Sequence, residues 1–229
     1  MNENLEKKNL VDVENRVISH NGVALEEDEP KIWCSCCTCC YVEDSYPQVV
    51  LQEIESSKKV LVLDLDETLV HCSFYPPELY DLTIPITIDS IQYDIYVQKR
   101  PHLDEFLDEM LKLFYVVIFT ASLSPYANPI IDRICPSIPL TQRLFRESCT
   151  FHHGMYVKDL GIFQTPLDNV IIVDNNPCSF SMHKENAILS ETWEGDREDN
   201  ELIDRILPLL RKCAGSRDVR DVITSSKPN

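Results

Sequence analysis

Glycine is scarce in this chain of 229 residues, which contains only five. Glycine-rich loops that cradle phosphates are therefore missing, and we expect no nucleotide-binding P-loop. The sequence also has no run of 18 or more apolar residues, so it predicts no membrane-spanning helix. Its first ten residues, MNENLEKKNL, contain no apolar signal core, and we expect no secretion.

Positive charge is scarce as well. The chain has 21 Lys and Arg against 38 Asp and Glu, for a formal net charge of −17. Such a charge disfavours non-specific attraction to nucleic acid or to acidic lipid, and we expect no direct nucleic-acid partner. A hydrophobic content of 44% is enough for one sizeable core in a chain of this length.

Cysteine, in contrast, is abundant, with ten residues. In a chain without a signal core these are expected to be thiols. Five of them lie in the motif CSCCTCC, from Cys34 to Cys40. This single cluster lacks the separated second pair of ligands that structural zinc sites use, and its position beside Trp33 is typical of S-acylation. Acylation, metal binding and free thiols all stay open, and only acylation predicts attachment to a membrane.

The order of polar and apolar segments predicts a tail followed by one domain. Residues 1–57 are acidic, polar and rich in cysteine, and we predict a flexible tail there and a globular domain over 58–229. Three short apolar runs are expected to be strands buried on both faces of a parallel sheet. They are VLVLD (60–64), YVVIFT (115–120) and NVIIVD (169–174).

The segments between these runs complete an α/β fold. Apolar and polar residues alternate on both sides of Asp89 and Ser90, which predicts an antiparallel hairpin. Residues 101–114 have helical spacing, with Pro101 expected in the first turn. A second helical pattern near the C-terminus contains Pro208, which must kink or divide it. We therefore predict a Rossmann-like parallel sheet flanked by helices, with a hairpin insertion.

Polar side chains follow the three predicted buried strands. They are Asp64 and Asp66, Thr120, and Asp174 with Asn175. The carboxyl ends of parallel strands line the ligand crevice of an open sheet, so these residues are expected to meet at one edge. Lys158, on the segment leading to the third strand, is placed to add a positive charge.

This set of residues fits the hydrolysis of a phosphate monoester. Asp64, Asn175 and a backbone carbonyl are hard oxygen ligands that suit Mg²⁺. Asp64 would attack phosphorus and form an aspartyl-phosphate, and Asp66 would protonate the leaving group and then deprotonate the attacking water. Lys158 and Mg²⁺ would neutralise the developing charge, while Thr120 donates a hydrogen bond to phosphate.

Other interpretations of the same residues exist. A D-x-D pair after an apolar run is often a solvated turn, and Lys158 alone is often a surface charge. A receiver-type signalling module also uses a phosphoaccepting aspartate, but the second carboxylate two residues on favours turnover. A non-catalytic phosphopeptide-binding adaptor is disfavoured because Asp64 and Asp66 are both present.

The sequence resembles the haloacid-dehalogenase superfamily and, within it, the small phosphatases of the RNA polymerase II C-terminal domain. The resemblance covers residues 58–222. It rests on the motifs LDLDETLVHCSF, VQKRPHLDEFL, FTASLSPYANPIID, RLFRESC, YVKDL, DNNPCSF and RDVRDVI. It implies a Mg²⁺-dependent protein serine/threonine phosphatase. The implied catalytic residues are the nucleophile Asp64, the acid/base Asp66, the phosphate ligand Thr120, the charge-neutralising Lys158 and the supporting acid Asp174. The implied Mg²⁺ ligands are Asp64, the carbonyl of Asp66 and Asn175.

The same resemblance implies a substrate class. Members of the family dephosphorylate phosphoserine followed by proline and seat a nearby proline in an apolar pocket. The positions matching that pocket are Phe74, Ile86, Ile88 and Tyr126, and Arg146 matches a residue near the phosphopeptide. We therefore expect a phosphoprotein partner such as the RNA polymerase II C-terminal domain and a nuclear location, with a membrane-associated pool if the cysteine cluster is acylated. Phosphatase activity on other phosphoproteins stays open as an alternative.

Overall fold

A five-stranded parallel sheet forms the centre of the protein. The structure is a computed structural model that describes residues 13–14, 17–18 and 58–227. The described strands are β1 (Val60–Leu63), β2 (Val70–Ser73), β3 (Leu82–Ile88), β4 (Ile91–Lys99), β5 (Tyr115–Phe119), β6 (Arg143–Leu144), β7 (Thr150–His152), β8 (Met155–Val157), β9 (Val170–Asp174) and β10 (Ala187–Leu189). The described α-helices are α1 (Leu103–Leu113), α2 (Ser124–Ile134), α3 (Leu207–Gly215) and α4 (Val219–Ser225). No described helix is long and apolar enough to cross a bilayer.

The central sheet has the strand order β10-β9-β1-β5-β6, and each neighbouring pair is parallel. The three apolar runs of the sequence are therefore its three adjacent central strands. Alternate residues of these strands enter two different clusters of buried apolar side chains, one with Leu61 and Leu63 and one with Val60 and Val62. Because both faces are covered, these strands have continuous apolar runs and no alternation. The predicted α/β fold is confirmed.

The insertion after β1 is a separate antiparallel sheet of order β2-β4-β3. Its β3-β4 hairpin turns at Asp89 and Ser90, which have φ angles of 51° and 65°. Two successive positive φ angles are the geometry of a two-residue hairpin turn whose twist matches that of the strands. The predicted hairpin is confirmed.

Prolines lie near the starts of two helices. Pro101 was expected in the first turn of α1, but that helix begins at Leu103, after His102 in a left-handed conformation. That part of the prediction is wrong because Pro101 lies in the turn before the helix. Pro208 lies near the start of α3, which directly follows a π-helical turn, Leu202–Ile206. The backbone of Ile206 and Leu207 is helical, so the segment changes its winding before the proline and is not divided.

The predicted N-terminal tail lies mostly outside the described residues. The Cys34–Cys40 cluster is among the residues not described, so its acylation or metal binding stays a prediction, as does the boundary at residue 58. Four described residues of this region, Val13, Glu14, Val17 and Ile18, lie against the domain. Val17 and Ile18 are buried, unlike residues of a flexible tail.

Candidate active site

The carboxyl ends of β1, β5 and β9 bring the predicted polar residues together. Asp64 directly follows β1, Thr120 directly follows β5, and Asp174 is the last residue of β9. Because β1 lies between the other two strands, the three side chains are brought to one edge of the sheet. The backbone fixes this position further, since the amide of Asp64 donates to the carbonyl of Val173 at 3.0 Å.

Lys158 links two of these carboxylates. Its Nζ lies 2.5 Å from Oδ1 of Asp64 and 2.6 Å from Oδ2 of Asp174. All three side chains are buried, with Lys158 and Asp174 each 1% exposed. The other oxygen of Asp174 accepts from the backbone amide of Asn176 at 2.8 Å. A buried ammonium with two carboxylate partners is held at a fixed point beside the side chain of Asp64.

Burial and neighbouring charges shift the protonation of this cluster. Burial raises the pKa of the Asp64 carboxyl to about 7, while the charge of Lys158 opposes the rise. For Lys158, burial acts to lower the pKa, but Asp174 and Asp64 outweigh it and the pKa is raised. The lysine is therefore a permanent cation, and Asp64 is a carboxylate of raised basicity. Perturbed groups of this kind concentrate at functional sites.

Three hydroxyl groups surround the carboxylate of Asp66. Tyr126 donates to Oδ1 at 2.7 Å, and Ser122 and Thr120 donate to Oδ2 at 2.8 and 3.2 Å. Burial, and then the charge of Asp66, raises the pKa of Tyr126 well above its usual value, so its phenol stays a proton donor. The arrangement fixes the rotamer of Asp66 and offers proton donors to its carboxylate form.

The hydroxyl of Thr68 contacts both Asp64 and Asn175, the two predicted metal ligands that would bind through side-chain oxygens. Thr68 Oγ1 donates to Oδ2 of Asp64 at 3.0 Å and lies 3.3 Å from Oδ1 of Asn175. These two oxygens therefore lie on the same side of the site as the turn that carries Asp66. Among the described residues, no three His, Cys, Asp or Glu side chains form a metal-binding group. A cation here would thus need amide and main-chain oxygens, which are donors that suit Mg²⁺.

A cleft of about 560 Å³ adjoins the catalytic residues. Glu67, Asn175 and Asn176 line both this cleft and the small pocket of Asp64 and Lys158. The four predicted apolar pocket residues all belong to one cluster of buried side chains, and none is more than 8% exposed. They are Phe74, Ile86, Ile88 and Tyr126. Their role in seating a substrate proline stays a prediction, and Tyr126 also has its hydroxyl on Asp66.

Arg146 is buried on the same side of the domain. Its Nε donates to the carbonyl of Ala121 at 2.7 Å, next to Thr120, and its guanidinium lies 5.2 Å from the centre of the Tyr156 ring. The side chain is 8% exposed. It is therefore anchored to the strand end that carries Thr120, while its part in binding a phosphopeptide stays a prediction.

Several residues of the site were not singled out from the sequence. Thr68 belongs to the motif D-x-D-x-T, which was the available signal. Ser122 had no signal in the sequence, because it lies 56 residues from Asp66 and only the pairing of β1 with β5 brings the two together.

Arg100 was also missed. It is 1% exposed, pairs with Asp199, and donates to the carbonyl of Thr68 at 3.1 Å, so it supports the turn that carries the catalytic aspartates.

Sequence comparison finds relatives that are similar over about three quarters of this chain. The chain is 46% identical over 168 residues to the "CTD small phosphatase-like protein 1" of Caenorhabditis elegans, covering 73% of this chain and 34% of the relative. It is 45% identical over 174 residues to the human "Carboxy-terminal domain RNA polymerase II polypeptide A small phosphatase 1", covering 76% of this chain and 66% of the relative. The chain thus spans between about a third and two thirds of the length of these relatives.

Structure comparison supports the fold. The fission yeast RNA polymerase II CTD phosphatase Fcp1, solved with beryllium fluoride, aligns with a TM-score of 0.52 and 19% identity. The alignment covers 60% of this chain and 42% of that protein. Residues 59–220, which include every active-site residue described above, match the family described as NLI interacting factor-like phosphatases. The chain belongs to the NLI interacting factor-like phosphatase family.

Proposed function

We propose that this protein is a Mg²⁺-dependent protein serine/threonine phosphatase that works through an aspartyl-phosphate on Asp64. The observation that carries the proposal is the buried arrangement of Asp64, Lys158 and Asp174 beside a second aspartate, Asp66, that is held by three hydroxyls. Residues 59–220 match a phosphatase family. A receiver or adaptor would not need the second carboxylate.

In the first step, Asp64 attacks the phosphorus atom and the serine or threonine oxygen departs. Lys158, fixed beside Asp64, offsets negative charge on the phosphoryl oxygens as the bond to the leaving oxygen breaks. Asp66, when protonated, donates its proton to that leaving oxygen. Thr120, in reach of Asp66, would move its hydrogen bond to a phosphoryl oxygen once substrate is bound.

In the second step, Asp66 acts as a base. It removes a proton from water, which attacks the phosphorus of the aspartyl-phosphate and regenerates the carboxylate of Asp64. The hydroxyls of Ser122 and Tyr126 hold the Asp66 carboxylate in place between the steps. One residue thus moves a proton in each direction, as two coupled steps require.

The donor set fits a magnesium ion. Asp64 Oδ2 and Asn175 Oδ1 share the hydroxyl of Thr68, and the carbonyl of Asp66 belongs to the same turn. Asp64, Asn175 and the Asp66 carbonyl would hold the ion, which supplies positive charge to the phosphoryl oxygens. A cation there favours the carboxylate of Asp64 and would lower its pKa from about 7.

We infer that the substrates are phosphoproteins with phosphoserine followed by proline, such as the RNA polymerase II C-terminal domain. The human relative carries that polymerase domain in its name. Phe74, Ile86, Ile88 and Tyr126 would seat a nearby proline, and Arg146 would lie near the peptide. A nuclear location follows from such a substrate, and a membrane pool would follow only from acylation of Cys34–Cys40.

Two phosphopeptides test both halves of this proposal. One is a phosphoserine-proline heptad, and the other has alanine in place of its neighbouring prolines. We expect Mg²⁺-dependent phosphate release with a preference of at least about tenfold for the proline peptide, the scale of one well-filled apolar pocket. Release is measured with Mg²⁺ and with EDTA.

Two outcomes would contradict different parts of the proposal. Equal release from both peptides would remove the proline pocket and leave a phosphatase of other phosphoproteins. No release from either peptide, or from a small aryl phosphate, would contradict the enzyme.

A further inference from the structure

A short segment near the start of the chain packs into the main hydrophobic core of the domain. Val17 is 0% and Ile18 is 1% exposed, and both belong to the same cluster of buried side chains as Phe74, Ile86 and Ile88. Val13 packs against that cluster as well. The segment also lies near the strand that precedes Phe74, since Glu14 lines a cleft together with Cys72 and Ser73 of β2.

The backbone of the segment is held by two donors of the domain. The carbonyl of Val17 accepts from the amide of Leu123 at 3.2 Å and from the guanidinium of Arg146 at 3.3 Å. Arg146 is the residue predicted to lie near a phosphopeptide. A main-chain carbonyl of this chain thus occupies a donor of the residue that is predicted to lie near a bound peptide.

Glu14 extends the segment towards the catalytic residues. The amide of Ile18 donates to the carbonyl of Glu14 at 2.8 Å, which is the spacing of an α-helical hydrogen bond. Glu14 lines the cleft of about 560 Å³ together with His71 and Asn175, and Asn175 is one of the proposed Mg²⁺ ligands. The segment consequently reaches from Arg146 to the cleft that adjoins Asp64.

We propose that this surface is a docking groove for a short apolar segment, and that the segment of the chain itself with Val13, Glu14, Val17 and Ile18 is its resident occupant. The inference rests on the proposed function, since its consequence is competition with the phosphoprotein substrate. A phosphopeptide that needs the groove can bind only when the segment has left it. A small aryl phosphate, which needs only the pocket of Asp64 and Lys158, is not affected.

Paired kinetics on the full-length chain test this. The variant Val17→Asp with Ile18→Asp replaces both buried apolar side chains by charges and should release the segment. We expect kcat/KM for the phosphoserine-proline peptide to rise about tenfold, mainly because KM falls. A tenfold change is expected if the segment fills the groove about nine-tenths of the time in the wild type. The rate with the aryl phosphate should stay unchanged. Leu140→Asp, at an exposed apolar residue of the domain, is the matched control and should alter neither rate.

A synthetic peptide of residues 10–20 should then inhibit the Val17→Asp, Ile18→Asp variant competitively against the phosphopeptide. The same peptide with aspartate at both apolar positions should not inhibit. An unchanged KM for the phosphopeptide would overturn the proposal. So would a fall of both rates together with a lower Tm, which is the result for a segment that only stabilises the domain.

Failure of the proposed function is separate from failure of the groove. If the wild-type chain hydrolyses neither substrate, binding of the fluorescent 10–20 peptide to the double variant, measured by anisotropy, tests the groove alone. Saturable binding that the aspartate-substituted peptide lacks would support the docking groove, and equal or no binding of the two peptides would overturn it.

Discussion

Asp64→Asn is expected to lower kcat by at least about 10⁴-fold with every phosphoester substrate, the scale for loss of a covalent nucleophile. The amide has nearly the shape of the carboxylate. Its oxygen can still accept from Lys158, and its NH2 group can donate to the hydroxyl oxygen of Thr68, so the site should stay assembled. Lys158 also keeps Asp174 as a charged partner. The loss should therefore affect the reaction and not folding. Tm should stay within about 4 °C of the wild type, the shift that a change of about 1 kcal/mol causes in a protein of this size.

A second Asp→Asn substitution, outside the active site, distinguishes the loss of the nucleophile from the mere loss of one negative charge. Asp104→Asn removes the same charge from an exposed surface residue paired with Lys99, and it should leave kcat unchanged. Phosphate release and thermal unfolding are measured for both variants. Turnover by Asp64→Asn above about 1% of the wild-type rate would contradict a nucleophilic role, since activity is expected to fall by orders of magnitude. If neither the variant nor the wild type turns over substrate while both still bind a partner, the result would favour a non-catalytic phosphopeptide-binding adaptor.

Lys158→Met is expected to damage both folding and activity. Without the ammonium, Asp64 and Asp174 become neighbouring buried carboxylates with no cation between them. Removing one partner from a buried ion pair costs about 3–5 kcal/mol of unfolding free energy. The pKa of Asp64 rises further because Lys158 no longer opposes the effect of burial. Activity should fall at least about 10³-fold, the scale for a preorganised charge at the transition state.

A double variant separates these two effects. Lys158→Met with Asp174→Asn removes one of the two unpaired charges, so urea denaturation should show much of the lost stability restored. Phosphate release should stay as low as in the single variant, because the charge on the phosphoryl oxygens is still not offset. A double variant as unstable as Lys158→Met would contradict the assigned ion-pair geometry. Recovery of activity would contradict the role of Lys158 in catalysis.

The sequence predicts the parts of this protein that depend on short-range pattern. The runs at 60–64, 115–120 and 169–174 are apolar and β-branched, and each is a strand of the central sheet. Because parallel strands align their carboxyl ends, the meeting of Asp64, Thr120 and Asp174 also follows from pattern. The hairpin turn at 89–90 follows from local backbone preferences.

Contacts between distant segments could not be predicted in this way. Ser122 and Tyr126 reach Asp66 only because β1 and β5 are neighbours, and hydroxyl residues are too common to reveal a partner. Arg100 meets Asp199 across 99 residues. The burial of Val17 and Ile18 was also missed, because two adjacent apolar residues in a polar, acidic region give too short a pattern to distinguish packed residues from a solvated tail.

Trapping of the phosphorylated enzyme tests the central claim most directly. Asp66→Asn removes the base for the second step, and an aryl phosphate, whose leaving group needs little protonation, still permits the first. With Mg²⁺ present, intact-protein mass spectrometry should show a stoichiometric phosphoryl adduct, and peptide mapping should place it on Asp64. The adduct should be missing with EDTA and in the Asp64→Asn, Asp66→Asn double variant. Turnover by Asp66→Asn without an adduct, or an adduct on any residue other than Asp64, would contradict the mechanism.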